Sequence, residues 1–573
     1  MKRIFPYLKP YLWAMSLGLT IKFVGTIMDL LLPWLLSYLI DTVVPTQSIP
    51  MVLFYGGVMV ICSIVAVVTN IQANRMASRV ARDVTRTVRH DLFQKISLLS
   101  CRQVDAFTIP SLESRLTSDT YNIHQVVGRM QRLGIRAPIL LLGGIVVTLT
   151  LEPVLTLVLL AILPVLGFVV YKISQKGIPL YTRLQQAVDK MVLDVRENAG
   201  GIRVIKALSK MDYEKEQFSQ VNAEVTKRET TAATVMAASN PLMNLFLNLG
   251  LTLVIVVGAY RVNSGLTQPG KIIAFLTYFT IILNAMLSIT RMFIMYSKGS
   301  ASAVRIGEVL DTPEDLTILP EDKIETPYHI TFNDVCFSYN KTQNNLENIS
   351  FALKKGETLG ILGATGCGKT TVINLLIRFY DVDSGEIRIN GQNVNSIPFQ
   401  QLHQKFGIVF QNDVLFADTI SENIAFGRAL HSSAIEAAAR YAQASGFIDQ
   451  LEDGLEHPLT ARGTNLSGGQ KQRVLISRAL AAQPEILVLD DSSSALDYKT
   501  DAQLRQAIGE HFQKTTTIIV AQRISSVMQA DHIMVLEEGR ILGYGAHSQL
   551  MESCASYREI AKSQMGGGAA NEQ

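Results

Sequence analysis

Charged residues are scarce in this sequence. The 573 residues include 52 Lys and Arg and 49 Asp and Glu, so only 18% of the chain is charged, whereas soluble proteins carry about 25%. This deficit, together with a mean hydropathy of +0.23, argues against a wholly soluble or a disordered protein. The formal net charge of +3 is too small to indicate nucleic acid binding.

Cysteine and aromatic residues are also few. Aromatic side chains make up 7% of the chain, so the apolar excess is mostly aliphatic. No two cysteines form a Cys-x-x-Cys pair, which argues against a zinc site or a disulfide scaffold and fits a reducing environment. The five cysteines are Cys62, Cys101, Cys336, Cys367 and Cys554.

The missing charges leave six long apolar segments in the first half of the chain. A helix needs about 20 apolar residues to cross a bilayer. The third and fourth segments reach that length only with their flanking residues, and Glu152 and Pro153 between them predict a tight turn. We therefore predict six spanning helices in a membrane domain over residues 1–310. The segments are residues 13–40, 51–68, 139–151, 154–170, 242–262 and 272–289.

Basic residues are distributed unevenly between the segments. Residues 41–50 contain no Lys or Arg, whereas residues 72–136 contain eleven, and residues 172–228 are similarly basic. The positive-inside rule then predicts that both termini and both basic connections lie in the cytoplasm, at the cell (inner) membrane. Their helical spacing predicts that the spanning helices extend into the cytoplasm. Alternatively, the arginines only fix the topology and contact lipid head groups.

The composition changes after residue 310. Residues 311–327 are acidic and contain three prolines, so we predict a linker there. Strand-like and helix-like segments alternate over residues 328–564, which predicts a soluble α/β domain. Residues 565–573, rich in glycine, are predicted to be a disordered tail. The predicted fold class is an α-helical membrane domain followed by an α/β domain with a phosphate-binding loop.

That loop follows a buried strand predicted at Thr358–Leu362. Its sequence matches the pattern GxxxxGK[ST] and precedes a predicted helix over residues 371–379. Glycines let backbone N–H groups converge on phosphate oxygens at a helix start, where the helix dipole favours anions. The predicted nucleotide-binding residues are Gly363, Ala364, Thr365, Gly366, Cys367, Gly368, Lys369, Thr370 and Thr371.

The same region predicts a magnesium site. Lys369 is expected to reach the β- and γ-phosphates, and the Thr370 hydroxyl is expected to bind Mg²⁺. A second apolar run, Ile486–Asp490, predicts a buried strand that ends in an acid. Asp490 is expected to hold the Mg²⁺ shell, through water, from the opposite side. The predicted ligands are therefore ATP and Mg²⁺.

These features resemble an ATP-binding cassette (ABC) exporter half-transporter, and the resemblance covers nearly the whole chain. Its most specific element is a glycine-rich helix start that precedes the strand Ile486–Asp490. In that family this signature caps the ATP held by the phosphate loop of a second, facing domain, not the ATP of its own chain. The signature residues are Leu466, Ser467, Gly468, Gly469 and Gln470.

The resemblance also implies roles for single residues. Tyr339 matches the aromatic residue that stacks on adenine, and Gln411 matches the glutamine that contacts Mg²⁺ and the membrane domain. Asp497 lies in the loop that crosses between the two nucleotide domains of the family. Residues 107–119 and 199–206 resemble the regions near the two coupling helices of the family.

Two positions depart from the family pattern, and both belong to one ATP site. Asp491 stands where the family usually has a glutamate that acts as base or orients water, and Gln522 stands where it usually has a histidine. A carboxylate misplaced by about 1 Å loses about 100-fold in rate, and glutamine carries neither the charge nor the mobile proton of histidine. The resemblance therefore predicts a degenerate, slowly hydrolysing site in a heterodimer. The alternative is a homodimer with two slow sites.

Transport is the function that the resemblance implies. We expect ATP-driven export by this chain and a second homologous half-transporter, with the main hydrolysis at the site centred on the partner. The expected substrates are hydrophobic or amphipathic small molecules, as in multidrug efflux; alternatives are a lipid or peptide exporter and a nucleotide-gated channel. Lys22 and Asp29 in the first segment are expected to serve transport or to form structural pairs with the partner subunit. Asp41 is expected to serve an extracellular gate or to be a solvated helix-end acid.

Overall fold

The computed structural model describes residues 3–492 and 494–565. The chain divides into two compact units. The membrane unit comprises Met1–Ile96 and Pro110–Thr312, and the nucleotide unit comprises Ser97–Ile109 and Pro313–Gln573. The predicted disordered tail, residues 565–573, lies outside the described residues except for Met565, which ends a helix.

Among the described residues, six apolar helical regions are long enough to cross a membrane, which confirms the six predicted spans. They are Phe5–Thr46, Ile49–Ser97, Ile109–Leu151, Pro153–Ala207, Met211–Asn263 and Pro269–Leu310. The short helix α4 (Cys101–Phe107) lies between the second and third regions and belongs to the nucleotide unit. The main helices of the six regions are α1 (Phe5–Leu8), α2 (Leu12–Tyr38), α3 (Ile49–Ser97), α5 (Ile109–Ser114), α6 (Thr120–Leu133), α7 (Arg136–Leu151), α8 (Pro153–Ala207), α9 (Met211–Ala237), α10 (Ser239–Asn263) and α11 (Pro269–Leu310).

Helix length confirms that spanning helices extend beyond the bilayer, while the cytoplasmic side of these extensions stays a prediction. Helix α3 has 49 residues and therefore measures about 70 Å at 1.5 Å per residue, more than twice the hydrocarbon core of a bilayer. The tight turn between the third and fourth regions lies at Glu152, whose backbone is extended (φ −154°), and Pro153 begins the next helix. Proline suits this first helical position because its missing N–H would have no partner there.

The ionisable residues of the first spanning region have partners within this chain. Lys22 donates to the side-chain oxygen of Asn74 at 3.1 Å, and Asp29 forms an ion pair with Arg136, also at 3.1 Å. Asp41 accepts a hydrogen bond from the backbone N–H of Gly270 at 2.6 Å. Since Gly270 lies in the first turn of α11, Asp41 caps that helix and is not merely a solvated acid.

Two sheets form the nucleotide unit and confirm the predicted α/β fold. The four-stranded antiparallel sheet has the order β2-β1-β4-β5, and the six-stranded sheet has the order β10-β9-β3-β8-β7-β6. In the larger sheet all pairs are parallel except β10 with β9. The strands are β1 (Ile330–Phe337), β2 (Leu346–Leu353), β3 (Thr358–Leu362), β4 (Ser384–Ile389), β5 (Gln392–Asn393), β6 (Phe406–Val409), β7 (Ile486–Asp490), β8 (Thr516–Val520), β9 (His532–Glu537) and β10 (Arg540–Gly545).

Helices pack around the parallel strands and place the loops that matter for function. Strands β3 and β7 both pair with β8, so their carboxyl ends meet at one edge of the sheet. Ligands of open α/β sheets bind at that edge. The helices are α12 (Lys369–Leu376), α13 (Phe399–His403), α14 (Ile420–Ala425), α15 (Ser432–Tyr441), α16 (Ser445–Ile448), α17 (Gly468–Ala481), α18 (Tyr498–His511), α19 (Ile524–Val527), α20 (His547–Ser553) and α21 (Ala555–Met565).

One helix boundary differs from the sequence prediction. The helix after the phosphate loop was expected over residues 371–379, but α12 begins at Lys369 and ends at Leu376. It begins earlier because Gly368, with φ +106°, acts as the N-cap residue. It ends earlier because the chain turns into the left-handed region at Arg378, with φ +57°.

The predicted linker, residues 311–327, contains neither helix nor strand beyond its first residues, yet much of it is bonded to the nucleotide unit. The Leu319 N–H donates to the Asn395 carbonyl at 2.9 Å, and the Ile324 N–H donates to the Gly391 carbonyl at 3.0 Å. The segment is therefore fixed along the surface of the unit.

A short segment from between the second and third spanning regions also belongs to the nucleotide unit. Ser100 caps α4 and its hydroxyl donates to Asp315 at 2.8 Å, and the Tyr380 hydroxyl donates to Asp105 at 2.7 Å. The resemblance placed the first coupling region at residues 107–119. The segment that belongs to the nucleotide unit, Ser97–Ile109, overlaps that region only at residues 107–109, and the coupling role of residues 107–119 stays a prediction.

Candidate functional site

The phosphate loop joins β3 to α12 at the edge of the parallel sheet. Gly366 and Gly368 have φ values of +85° and +106°, a region that favours glycine. A Cβ atom on Gly368 would lie 2.7 Å from Leu346, whereas one on Gly366 would meet nothing within 4 Å. Gly368 is thus required by packing, while Gly366 leaves room for a ligand to approach the backbone.

Lys369, the first residue of α12, lies over the loop. Its ammonium group donates to the carbonyl oxygens of Gly363 and Ala364, each at 2.8 Å. The positive charge is therefore placed beside the N–H groups of a helix start, an arrangement that suits phosphate oxygens. The neighbouring Cys367 thiol is buried, and burial raises its pKa, so the thiol is protonated at neutral pH and serves as a small packing group.

Thr370 and Asp490 come together on the other side of the loop. The Thr370 hydroxyl donates to the Asp490 carboxylate at 2.9 Å, and the Asp490 side chain is almost fully buried. Burial raises the pKa of Asp490, against the opposing hydrogen bond from Thr370. A hydroxyl and a carboxylate oxygen side by side are ligands that Mg²⁺ prefers. These residues therefore fit the magnesium ion of a bound nucleotide.

Asp491 follows directly and faces two glutamines. Its backbone is in the left-handed region (φ +50°), and its N–H donates to the Val520 carbonyl at 2.9 Å. The amide nitrogens of Gln411 and Gln522 each lie 3.4 Å from the same Asp491 carboxylate oxygen. Such long contacts are weak hydrogen bonds. Burial is the main cause that raises the pKa of Asp491, which makes it a stronger base than a solvated aspartate.

Tyr339 marks the opposite end of the site. Its hydroxyl accepts a hydrogen bond from Asn374 at 3.2 Å and lies 3.4 Å from the Thr371 hydroxyl. Its backbone N–H donates to Asn345 at 3.0 Å, and its ring packs edge-on against Tyr380. The side chain is 40% exposed, so a fixed ring face is available for stacking on a base.

The structure brings these predicted residues to one cleft of about 270 Å³. Asn345 also lines it; sequence analysis missed this residue because its role depends on the turn before β2. The lining residues are Tyr339, Asn345, Thr365, Gly366, Gly368, Lys369, Thr370, Thr371, Gln411, Asp490, Asp491, Val520, Ala521 and Gln522. The cleft has the shape and the donors for an Mg-nucleotide.

The signature residues lie elsewhere. None of residues 466–470 is among the described residues that line the cleft, and Asp497 is not among them either. Ser467 caps α17, accepting from the Gln470 N–H at 3.3 Å, while the Gln470 side chain accepts from the Ser467 N–H at 2.9 Å. Asp497 caps α18 by accepting from the Thr500 N–H at 2.9 Å. Both motifs form helix starts separate from the chain's own cleft.

Comparisons with known proteins agree with this geometry. Residues 15–286 match the family described as ABC transporter transmembrane region, and residues 346–494 match the family described as ABC transporter. The chain is 34% identical over 568 residues to the uncharacterized ABC transporter ATP-binding protein YfiB of Bacillus subtilis (strain 168), with 99% of each chain covered. It is 32% identical over 566 residues to the uncharacterized ABC transporter ATP-binding protein Mb1304c of Mycobacterium bovis, with 97% of each covered.

The solved structures include one with the same fold. The structure of a bacterial Atm1-family ABC exporter with ATP bound has a TM-score of 0.81 and 24% sequence identity, with 99% of each chain covered. The chain therefore belongs to the ABC transporter family. It is a half-transporter, in which a multi-pass membrane domain is fused to one domain that binds ATP.

Proposed function

We propose that this chain is one half of a heterodimeric exporter and that its own ATP site hydrolyses slowly. The observation that carries this proposal is the chemistry of the cleft. No glutamate and no histidine is among the described residues that line it. Asp491 and Gln522 occupy the two positions at which hydrolysis needs a base and a charged or proton-carrying group.

The distances at Asp491 support slow hydrolysis. Among the described residues, the two glutamine amides donate hydrogen bonds to its carboxylate, both at the long distance of 3.4 Å. A base must come within about 3 Å of the proton that it removes, and the aspartate side chain is one methylene too short to extend further. The raised pKa of Asp491 favours the alternative, a working but slow base. Because Asp491 replaces the usual glutamate and Gln522 replaces the usual histidine in the same cleft, we favour a site that binds ATP and hydrolyses it slowly.

The signature supports the second half of the proposal. Its helix start is intact and capped, yet it lies outside the chain's own cleft. In our account it completes the ATP site of a homologous partner subunit, where the main hydrolysis takes place. Gln411 and Asp497, which the family resemblance assigns to Mg²⁺ contact and to the crossing loop, are proposed to act in the same way here.

We further propose that the transporter exports hydrophobic or amphipathic small molecules. It lies in the cell (inner) membrane, with both termini of this chain in the cytoplasm. The fold likeness to an exporter and the fused domains support the direction of transport. Spanning region six carries adaptable apolar side chains that suit such substrates. They include Met286, Met292, Phe293, Met295 and Tyr296.

The proposal is tested by repairing the site. In the assembled complex the partner's catalytic acid is first replaced by its amide, which leaves this chain's site as the only source of hydrolysis. The double variant Asp491→Glu with Gln522→His is then expected to raise phosphate release at least about tenfold. The matched control adds Lys369→Ala to the double variant and is expected to abolish the gain. No gain from the double variant would contradict the proposal.

A further inference from the structure

The last helix of the chain contacts the loop that carries Gln522. Gln564, near the end of α21, donates from its side-chain nitrogen to the Gln522 carbonyl at 2.9 Å. Its side-chain oxygen accepts a hydrogen bond from the Ile524 N–H at 2.8 Å. One amide group thus bonds to the backbone on both sides of Arg523.

These two bonds replace a strand partner at the point where the sheet ends. Strand β8 ends at Val520, and the Ala521 N–H makes the next bond to the parallel strand, donating to Ile361 at 3.2 Å. From Gln522 onward the partner is the side chain of Gln564. A side-chain amide presents a donor and an acceptor as a peptide group does, so Gln564 extends the hydrogen bonding of the sheet by one step.

The side chains of the two residues between these bonds, Gln522 and Arg523, contact two other loops of the nucleotide unit. The Gln522 side chain contacts Asp491 at 3.4 Å in the nucleotide cleft. The Arg523 guanidinium lies 5.0 Å from the ring centre of Tyr498, the residue directly after Asp497. The backbone that Gln564 bonds to therefore carries Gln522, which lines the nucleotide cleft, and Arg523, which contacts the start of α18 beside Asp497.

We propose that Gln564 is a positioning residue that fixes Gln522 for recognition of the third phosphate of ATP. Gln522 lies with Asp491, Lys369 and Thr370 at the phosphate end of the cleft, whereas Tyr339 lies at the base end. Loosening Gln522 therefore weakens binding of the γ-phosphate and leaves the contacts that ATP and ADP share. The inference concerns this chain's own cleft and does not depend on the identity of a partner.

The test compares two variants of the full-length chain in detergent. Gln564→Ala removes both bonds. Gln564→Glu keeps the size and the acceptor, but it removes the donor and sets a carboxylate oxygen against the Gln522 carbonyl. Binding of radiolabelled Mg-ATP and Mg-ADP is measured, together with hydrogen exchange of the Ile524 amide. Gln506→Ala is the control, because the Gln506 side chain is exposed on α18 and, among the described residues, its amide donates to Glu510.

Both Gln564 variants are expected to bind Mg-ATP about fivefold more weakly, which corresponds to a loss of about 1 kcal/mol, with Mg-ADP affinity unchanged. Gln564→Ala is expected to speed exchange of the Ile524 amide, and the control to match the wild type. Equal losses for ATP and ADP would overturn the inference, because they would indicate general destabilisation. A Gln564→Glu variant with wild-type ATP affinity would also overturn it, because packing alone would then explain the contact.

Discussion

The nucleotide unit contains two glycine-rich helix starts that are built differently. Helix α12 follows Gly368, has no side-chain cap, and begins with Lys369. Helix α17 follows Ser467, whose hydroxyl forms a reciprocal cap with Gln470. The first start keeps its N–H groups and a positive charge for phosphates, and the acid Asp490 lies beside it. In the second start, the side chains of Ser467 and Gln470 already bond to backbone N–H groups at the beginning of the helix.

Two basic residues, Lys471 and Arg473, lie in the first two turns of α17, and the Arg473 side chain bonds to its own surroundings. Arg473 donates to the carbonyls of Gly469 and Gln443, at 3.2 and 2.8 Å, and its guanidinium stacks over Phe447. Burial lowers the pKa of Arg473. The comparison shows that α12 begins with a lysine and no side-chain cap, whereas α17 begins with a side-chain cap. We propose that α12 binds the phosphates of this chain's own nucleotide and that α17 supplies dipole and backbone groups to a nucleotide that other residues bind.

The largest expected effect is at the start of α12. Replacing Lys369 with alanine removes charge-assisted bonds worth roughly 3 kcal/mol, so Mg-ATP affinity of the purified chain should fall about 100-fold. Equilibrium binding of radiolabelled Mg-ATP measures the change. Lys323→Ala, at an exposed position far along the chain from both helix starts, is the matched control. An unchanged affinity for Mg-ATP would show that the start of α12 does not bind the nucleotide, and the contrast with α17 would then be wrong.

The base end of the same cleft gives the next largest effect. Base stacking on an aromatic ring is worth about 1–3 kcal/mol, so Tyr339→Ala should weaken Mg-ATP binding about tenfold. Tyr339→Phe keeps the ring and loses only the hydroxyl contacts with Asn374 and Thr371, so its loss should be about twofold. The same binding assay distinguishes them. Equal affinities for the two variants would exclude stacking as the role of Tyr339.

A smaller effect is expected at the second helix start. Loss of an N-cap costs about 1 kcal/mol, so Ser467→Ala should slow ATP hydrolysis by the assembled complex about fivefold. Mg-ATP binding by this chain alone should stay unchanged. Thr419→Ala is the control, since Thr419 caps α14 through the Glu422 N–H and lines no part of the cleft. If Thr419→Ala slows hydrolysis as much as Ser467→Ala does, the effect comes from a general loss of folding stability and not from the signature helix.

The smallest expected effect is on pH dependence. Burial raises the pKa of Asp490, so protons compete with Mg²⁺ for this carboxylate at higher pH than for a solvated aspartate. As the pH is lowered, the gain in ATP affinity on adding Mg²⁺ should therefore begin to shrink at a higher pH than it would with a solvated aspartate. In Asp490→Asn only the titration of the ATP phosphates remains, so the gain should vary less with pH than in the wild-type chain. The same pH dependence in that variant would assign the effect to another group.

Local patterns made much of the nucleotide site predictable. Strands β3 and β7 begin and end at the residues expected from their apolar runs, Thr358–Leu362 and Ile486–Asp490. The reason is that each pattern is local: a glycine-rich loop and its lysine directly follow β3, and an acid directly ends β7. The polar contacts of Lys22 and Asp29 in the first spanning region were not predictable, since their partners, Asn74 and Arg136, lie 52 and 107 residues away.

Contacts between distant segments also explain what sequence analysis missed at the site. Gln564 reaches the backbone 42 residues before it, and nothing in the sequence of α21 marks that contact. The short helix α4 packs with the nucleotide unit through Tyr380 and Asp105, which are 275 residues apart. A hydrogen bond of this kind depends on how the elements pack, and no periodicity in the sequence encodes it.

The most direct measurement is phosphate release by the purified chain alone when it is supplied with Mg-ATP. The account predicts that ATP binds with an affinity that depends on Lys369 while phosphate release stays close to the background of the Lys369→Ala variant. Rapid, sustained phosphate release from the chain without a second subunit would contradict it, because Asp491 and Gln522 would then be sufficient for hydrolysis.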